Sequence, residues 1–204
     1  MSRSIIVAIT DHRDELNIMI KKQKEGIKHG VNIVIVRGYD SLSDIDKICK
    51  ELRVLKEQYD FQLIINAYPT KELLNLKPDG FHLNVKNMEK IINNRVDLND
   101  FGKIGVSAHN KEEIKLTEKV SPDYALISPI FQPSCKNTVK TLGITGLEKM
   151  IHDFYEIYQS QNKIVPKLIA LGGIKKHNYL KLLGNTCLDG IALMSAIQEI
   201  KDIL

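Results

Sequence analysis

ALGGI (Ala170–Ile174), followed by MSAI (Met194–Ile197), reads as a short apolar strand ending in paired glycines, then a small-residue turn opening a last helix. In (β/α)8 barrels such a pairing commonly holds a phosphate at the C-terminal face. Glycine amides approach the anion closely, and a helix N-terminus adds further amides and its dipole. IGVSAH (Ile104–His109) and SPIFQPSCK (Ser128–Lys136) would lie at strand ends on the same face. The expected ligand is a small phosphate ester. The plainer reading is that Gly172 and Gly173 only ease a tight turn.

Outward from these stretches, short β-branched runs alternate with amphipathic segments along the chain, the pattern of βα units and a parallel sheet. Strands are expected at Ser4–Ile9, Asn32–Arg37, Gln62–Ile65, Gly80–Leu83, Lys103–Ser107, Tyr124–Ser128, Lys167–Leu171 and Gly190–Met194. Their near-continuous apolar runs, such as IIVAI and IVIV, suit strands covered on both faces. Helical periodicity marks Asp14–His29, Ser43–Gln58, Lys111–Lys119 and Gly146–Gln161. Gly30 stands where a helix ends and Pro166 where a strand opens. The fold class is therefore α/β, a parallel eight-stranded TIM barrel occupying residues 1–204 as one domain. Residues 93–102 and 132–143 lack structure signals, and the second reads as a long mobile loop on the ligand face.

Composition narrows the class. The 204 residues are 43% hydrophobic, enough for a sizeable core and too apolar for a disordered chain. Net charge is +4, and the lysines are scattered along helices, so they read as a solvated face rather than a nucleic-acid stripe. Cys49, Cys135 and Cys187 have neither metal nor disulfide spacing. Cys49 and Cys187 read as small core residues. Cys135 lacks an identifiable base, which argues against thiol catalysis. The opening apolar run is too short for a signal peptide, and no membrane span is expected, so a cytoplasmic protein is the default.

Polar residues at strand ends are the candidates for chemistry. In chain order they are Asp11, Arg37, Asn66, His82, Ser107 with His109, Lys136, Gly172, Gly173 and Ser195, with Ala196 beside it. Arg37 closes an apolar strand, where a buried cation needs a ligand anion or an acid such as Asp40. His82, inside FHL, is either a hydrogen-bonded core group or a catalytic one. Lys136 could close over an anion from its loop. Asp11 and Asp40 are the strand-end acids, while Asn66, Ala67 and Asn87 stand where a metal would want carboxylates, so no metal site is expected.

These stretches together resemble the thiamine phosphate synthase family and its relatives, the TenI-like thiazole tautomerases. The resemblance runs from IVAITDH to DGIALMSAI, through LIINA (63–67), DGFHL (79–83), IGVSAH, SPIFQPSCK, TLGITGLEKM and PKLIALGGI. It implies a thiazole phosphate held by Ser107, Gly172, Gly173 and Ser195. For a synthase it also implies a pyrimidine pyrophosphate, Mg2+ and a dissociative path through a pyrimidine carbocation. The synthase pattern is matched at Arg37, Asn66 and Lys136, but its other positions are Ile35, Tyr39, Ala67 and Asn87. Tautomerases lack the metal acids too, yet their proposed acid–base histidine is Pro129 here, leaving His82 or Cys135 to serve.

The reading placed first is a tautomerase-like enzyme binding a thiazole phosphate with no required cofactor. The alternatives are a synthase, for which alone Mg2+ would be needed, and a non-catalytic binding or regulatory homologue. The expected partners are a phosphorylated thiazole and, for a synthase, pyrimidine pyrophosphate. Nucleic acid and membrane are not expected, and a homodimer is compatible with each reading.

Overall fold

The β-branched runs form β1 (Ile5–Ile9), β2 (Ile33–Val36), β3 (Gln62–Asn66), β4 (Gly80–Leu83), β5 (Lys103–Ala108), β6 (Tyr124–Ile127), β7 (Lys167–Leu171) and β8 (Gly190–Leu193). Each strand pairs in parallel with the next and β8 returns to β1, so the sheet closes into a (β/α)8 barrel. The computed structural model describes residues 4–132, 140–183 and 187–203. Interleaved helices are α1 (Leu16–Lys28), α2 (Leu42–Lys56), α3 (Lys71–Leu74), α4 (Val85–Asn94), α5 (Lys111–Val120), α6 (Gly143–Ser160), α7 (Lys176–Leu183) and α8 (Ile200–Ile203). Single 3-10 turns precede β5 (Asn99–Phe101) and α8 (Ser195–Glu199).

β4 and β7 have the bounds expected from sequence, and every other strand differs by single residues at its ends. Helix starts follow local capping. Ser41, Thr70, Asn84 and Asn110 each accept a backbone N–H at the third residue of the helix they open. α6 begins earlier than the expected Gly146. The amides of Leu142 and Gly143 donate to the carbonyls of Pro129 and Ile130, both at 2.9 Å, which pins the helix start against the exit of β6.

Alternation along the strands divides the apolar side chains into two layers. One set, including Ile6, Val34, Leu63, Phe81, Val106, Ile127 and Leu168, packs under the helices. The other, Val7, Ile9, Ile33, Ile35, Ile64, Tyr124, Leu126, Ile169 and Ala192, fills the barrel interior. Tyr124 lies across that interior only because Gly105 opposes it. A Cβ on Gly105 would stand 2.0 Å from the Tyr124 ring.

The N-terminal end of the barrel is tied by one repeated device. The residue before each even strand reaches back to an amide at the start of the preceding odd strand. Asn32 Oδ1 accepts from Ile6 at 3.0 Å, Asp79 Oδ2 from Leu63 at 2.6 Å, Asp123 Oδ2 from Ile104 at 2.7 Å and Asp189 Oδ2 from Leu168 at 2.9 Å. Lys56 and Lys167 neutralise Asp79 and Asp189. These carboxylates are structural and point away from the ligand face.

The cysteine expectations divide. Cys49 is buried in α2, and burial pushes its thiol up to about 11. Cys187 is exposed, contrary to the core reading, because it sits in the connection ahead of Asp189, before the strand's burial begins. Among the described residues no helix is long and apolar enough to cross a membrane.

Candidate functional site

At the opposite end, inward-facing strand termini surround a cavity of about 610 Å³. Arg37, Asn66, His82, Ser107, Gly172, Gly173, Ser195 and Ala196 all line it. Separate strands thus bring together the residues expected from sequence. Lys136, with Cys135, lies outside the described residues.

The side formed after β7 and β8 is built from backbone. Gly172 and Gly173 have φ of 109° and 60°, a region L side chains rarely adopt. Their missing Cβ atoms make room for the chain leaving β6. A Cβ on Gly172 would meet Pro129 Cα at 2.9 Å, and one on Gly173 would meet Gln132 O at 2.6 Å. Ile130 and Phe131 donate to the carbonyls of Leu171 and Gly172, each at 3.0 Å, so this close approach is bonded. Asn178, 8% exposed, accepts from the Lys175 amide at 2.8 Å and donates to Gly173 O at 2.9 Å, bracing the turn. The tight-turn reading of the glycines is therefore correct as far as it goes. Yet among the described residues the N–H groups of Gly172, Gly173, Ser195 and Ala196 find no acceptor. Unspent amides lining one cavity suit a phosphate.

The floor is a buried polar chain. His82 is 1% exposed, with Nδ1 3.3 Å from the Tyr124 hydroxyl and Nε2 2.9 Å from Ser107 Oγ. Its ring stacks on Tyr124, with centroids 5.7 Å apart. Burial, with the charge of Arg37, holds the His82 pKa down at about 3, so the imidazole is neutral near pH 7. Burial also pushes the Tyr124 phenol well above its usual range. The phenolic O–H has Nδ1 as its acceptor, and leaving it unpaired would be costly. The proton of the imidazole is then on Nε2 and is donated to Ser107, whose own hydroxyl hydrogen is left for an acceptor in the cavity. His82 is thus engaged at both nitrogens, a geometry for positioning Ser107 rather than for shuttling protons.

Arg37 differs from its expectation. β2 ends at Val36, so Arg37 lies past the sheet and is exposed at the rim rather than buried. Its amide donates to Thr10 Oγ1 at 2.9 Å, and that hydroxyl donates to the Arg37 carbonyl at 3.2 Å. Among the described residues no carboxylate pairs with Arg37, so the alternative with Asp40 is not formed. Asp11 is bound instead to Arg13, whose guanidinium holds the Asp11 carboxyl below its usual range. His109, at the start of α5, is exposed and pairs with Glu113 at 2.7 Å.

Sequence reasoning missed Thr10, Arg13, Asn84 and Lys175 in the lining. Asn84 was legible as a helix cap, and Lys175 follows the paired glycines directly. Their orientation into the cavity depends on strand endings that the pattern locates only to within a residue.

The family resemblance implies Mg2+ for a synthase, and Mg2+ is normally held by one or two carboxylates together with substrate phosphates. No Asp or Glu is part of the cavity lining, and no group of three or more His, Cys, Asp and Glu residues converges among the described residues. Asn87, at a position where the synthase pattern has an acid, is the third residue of α4 and not in the lining. These side chains do not fit a protein-held Mg2+.

A family model described as thiamine monophosphate synthase matches residues 6–197. A thiamine-phosphate synthase of Clostridium perfringens is 30% identical over 191 residues, covering 93% of this chain and 86% of that protein. A putative thiamine-phosphate synthase 2 of Aquifex aeolicus is 29% identical over 170 residues, covering 83% and 84%. Among solved structures, a thiamine phosphate pyrophosphorylase from Pyrococcus furiosus superposes with a TM-score of 0.72 at 23% identity, covering 98% of this chain and 93% of that one. That likeness speaks to the fold.

Proposed function

Because the chain belongs to the thiamine monophosphate synthase family, we propose that it is a thiamine-phosphate synthase, joining a pyrimidine pyrophosphate to a thiazole phosphate in the cavity at the barrel's C-terminal end. The observation that carries the reading is the cavity's charge. Arg37 and Lys175 line it with no Asp or Glu among the described lining residues, Arg13 being bound to Asp11, and free backbone amides add to them, as two phosphorylated substrates require. In this reading the thiazole phosphate binds the amides of Gly172, Gly173, Ser195 and Ala196. The pyrophosphate binds Arg37 and Asn66.

The reaction follows from that arrangement. The bond between the pyrimidine methylene carbon and the pyrophosphate oxygen breaks, and both electrons leave with the pyrophosphate. The thiazole nitrogen then donates its lone pair to the methylene cation, forming the new C–N bond. Cations at the rim stabilise charge growing on the departing group. Ser107 offers its O–H from the floor, and the barrel wall of Ile9, Ile35, Leu126 and Leu171 limits water around the cation.

The tautomerase reading, placed first from the sequence, has less behind it. The curated relatives described above carry synthase names. Pro129 cannot transfer a proton, and His82 is spent on Tyr124 and Ser107. The test is direct: purified protein with both substrates and Mg2+, with thiamine phosphate read by fluorescence after oxidation. Turnover is expected. No product beside an active control enzyme would overturn the synthase reading.

A further inference from the structure

We infer that this cavity binds pyrophosphate through its own cations, without a divalent metal. The inference rests on the same cavity as the proposed synthase reaction and says how the leaving group is held there. Its starting point is the disagreement between the metal implied by the family and the side chains present.

Mg2+ at a pyrophosphate site needs protein oxygens of high charge density to hold it in place. Among the described residues the lining contributes none from Asp or Glu. Of the acids near the mouth, Asp11 is bound to Arg13 and Glu113 to His109 and Asn110, while Asp40, three residues past Arg37, is outside the lining. Every carboxylate tied to a strand start, at Asp79, Asp123 and Asp189, is at the far end of the barrel.

The cations are arranged the opposite way. Arg37 and Lys175 both line the cavity, and neither has a carboxylate partner among the described residues. Arg37 presents a planar fork of donors, a geometry that grips phosphate oxygens bidentately. Its backbone is fixed on both sides by Thr10, so the side chain starts from a defined point. Asn66 and Asn84 add neutral amide groups within the same lining. A trianionic pyrophosphate supplies the charge that Arg37 lacks.

Calorimetry with inorganic pyrophosphate tests this. In excess EDTA the protein should bind pyrophosphate, and saturating Mg2+ should change the affinity by less than about threefold. Arg37→Met should weaken binding by about tenfold or more, while Arg37→Lys keeps part of it. Unchanged thermal melting would show that both variants fold. Binding that develops only with Mg2+, or an Arg37→Met affinity equal to that of the parent, would overturn the inference. The synthase assay separates the two readings. Turnover in EDTA supports both, and turnover only with Mg2+ overturns the metal-free inference alone. If neither condition gives product the synthase reading falls, and pyrophosphate binding in EDTA still decides the inference.

Discussion

The two ends of this barrel treat their polar groups in opposite ways. At the N-terminal end, Asn32, Asp79, Asp123 and Asp189 each meet an amide at the start of the preceding strand, and lysines neutralise two of the carboxylates. At the C-terminal end, the amides of Gly172, Gly173, Ser195 and Ala196 and the side chains of Arg37 and Lys175 are left without protein acceptors among the described residues. Negative charge is thus used to close one end, and positive charge is held open at the other. The first end stabilises the fold. In the proposed function the second receives the phosphates of the substrates, in line with the division of labour general to this architecture.

Substitutions can break that contrast, and the largest effect is expected at Gly173. A Val there would carry its Cβ into Gln132 O at 2.6 Å with φ at 60°, so both the turn and its amides must move. Phosphate binding should disappear in calorimetry, and stability should fall by about 3 kcal/mol. Unchanged binding would remove the glycine turn from the site. Asp123→Ala sharpens the other half of the contrast. It strips the Ile104 amide of its acceptor and should cost about 2 kcal/mol in urea unfolding, with phosphate affinity untouched. Loss of affinity there would mean that the two ends are not independent.

A pH series probes the floor between them. His82 has a folded pKa near 3 against 6.5 for the free side chain, so between those values the unfolded chain binds the extra proton. Stability from this group is complete above the unfolded value and is lost as pH falls toward the folded one, by roughly 1 kcal/mol per pH unit. His82→Gln should flatten this acid limb. An unchanged slope would show that other groups cause it. The smallest effect is expected from Tyr124→Phe, which leaves the ring and removes the donor to Nδ1. Turnover should drop about threefold with KM for thiazole phosphate little changed, and nitrogen NMR should show His82 losing its preference for the Nε2–H form. A parent protein protonated on Nδ1 would contradict the assigned direction of the chain.

Much of this is legible in the sequence. Strand bounds follow from β-branched runs, because strands buried on both faces leave little freedom in where apolar residues stop. The glycine pair and the small-residue turn were legible because only backbone conformation and close approach explain them. The floor was not. His82, Ser107 and Tyr124 belong to three different strands, and their meeting depends on register and on the space Gly105 leaves. Arg37 was misjudged as buried because the apolar run gives no sign that pairing stops at Val36. Cys187 was misjudged because proximity to a strand in sequence says nothing about the connection before it.

The most direct measurement is a crystal structure of the protein grown in EDTA with thiazole phosphate and pyrophosphate. The thiazole phosphate should contact the amides of Gly172, Gly173 and Ser195, and the pyrophosphate should contact the Arg37 guanidinium. Both anions found away from the C-terminal mouth, or neither held by these groups, would contradict the contrast between the two ends on which the proposed function stands.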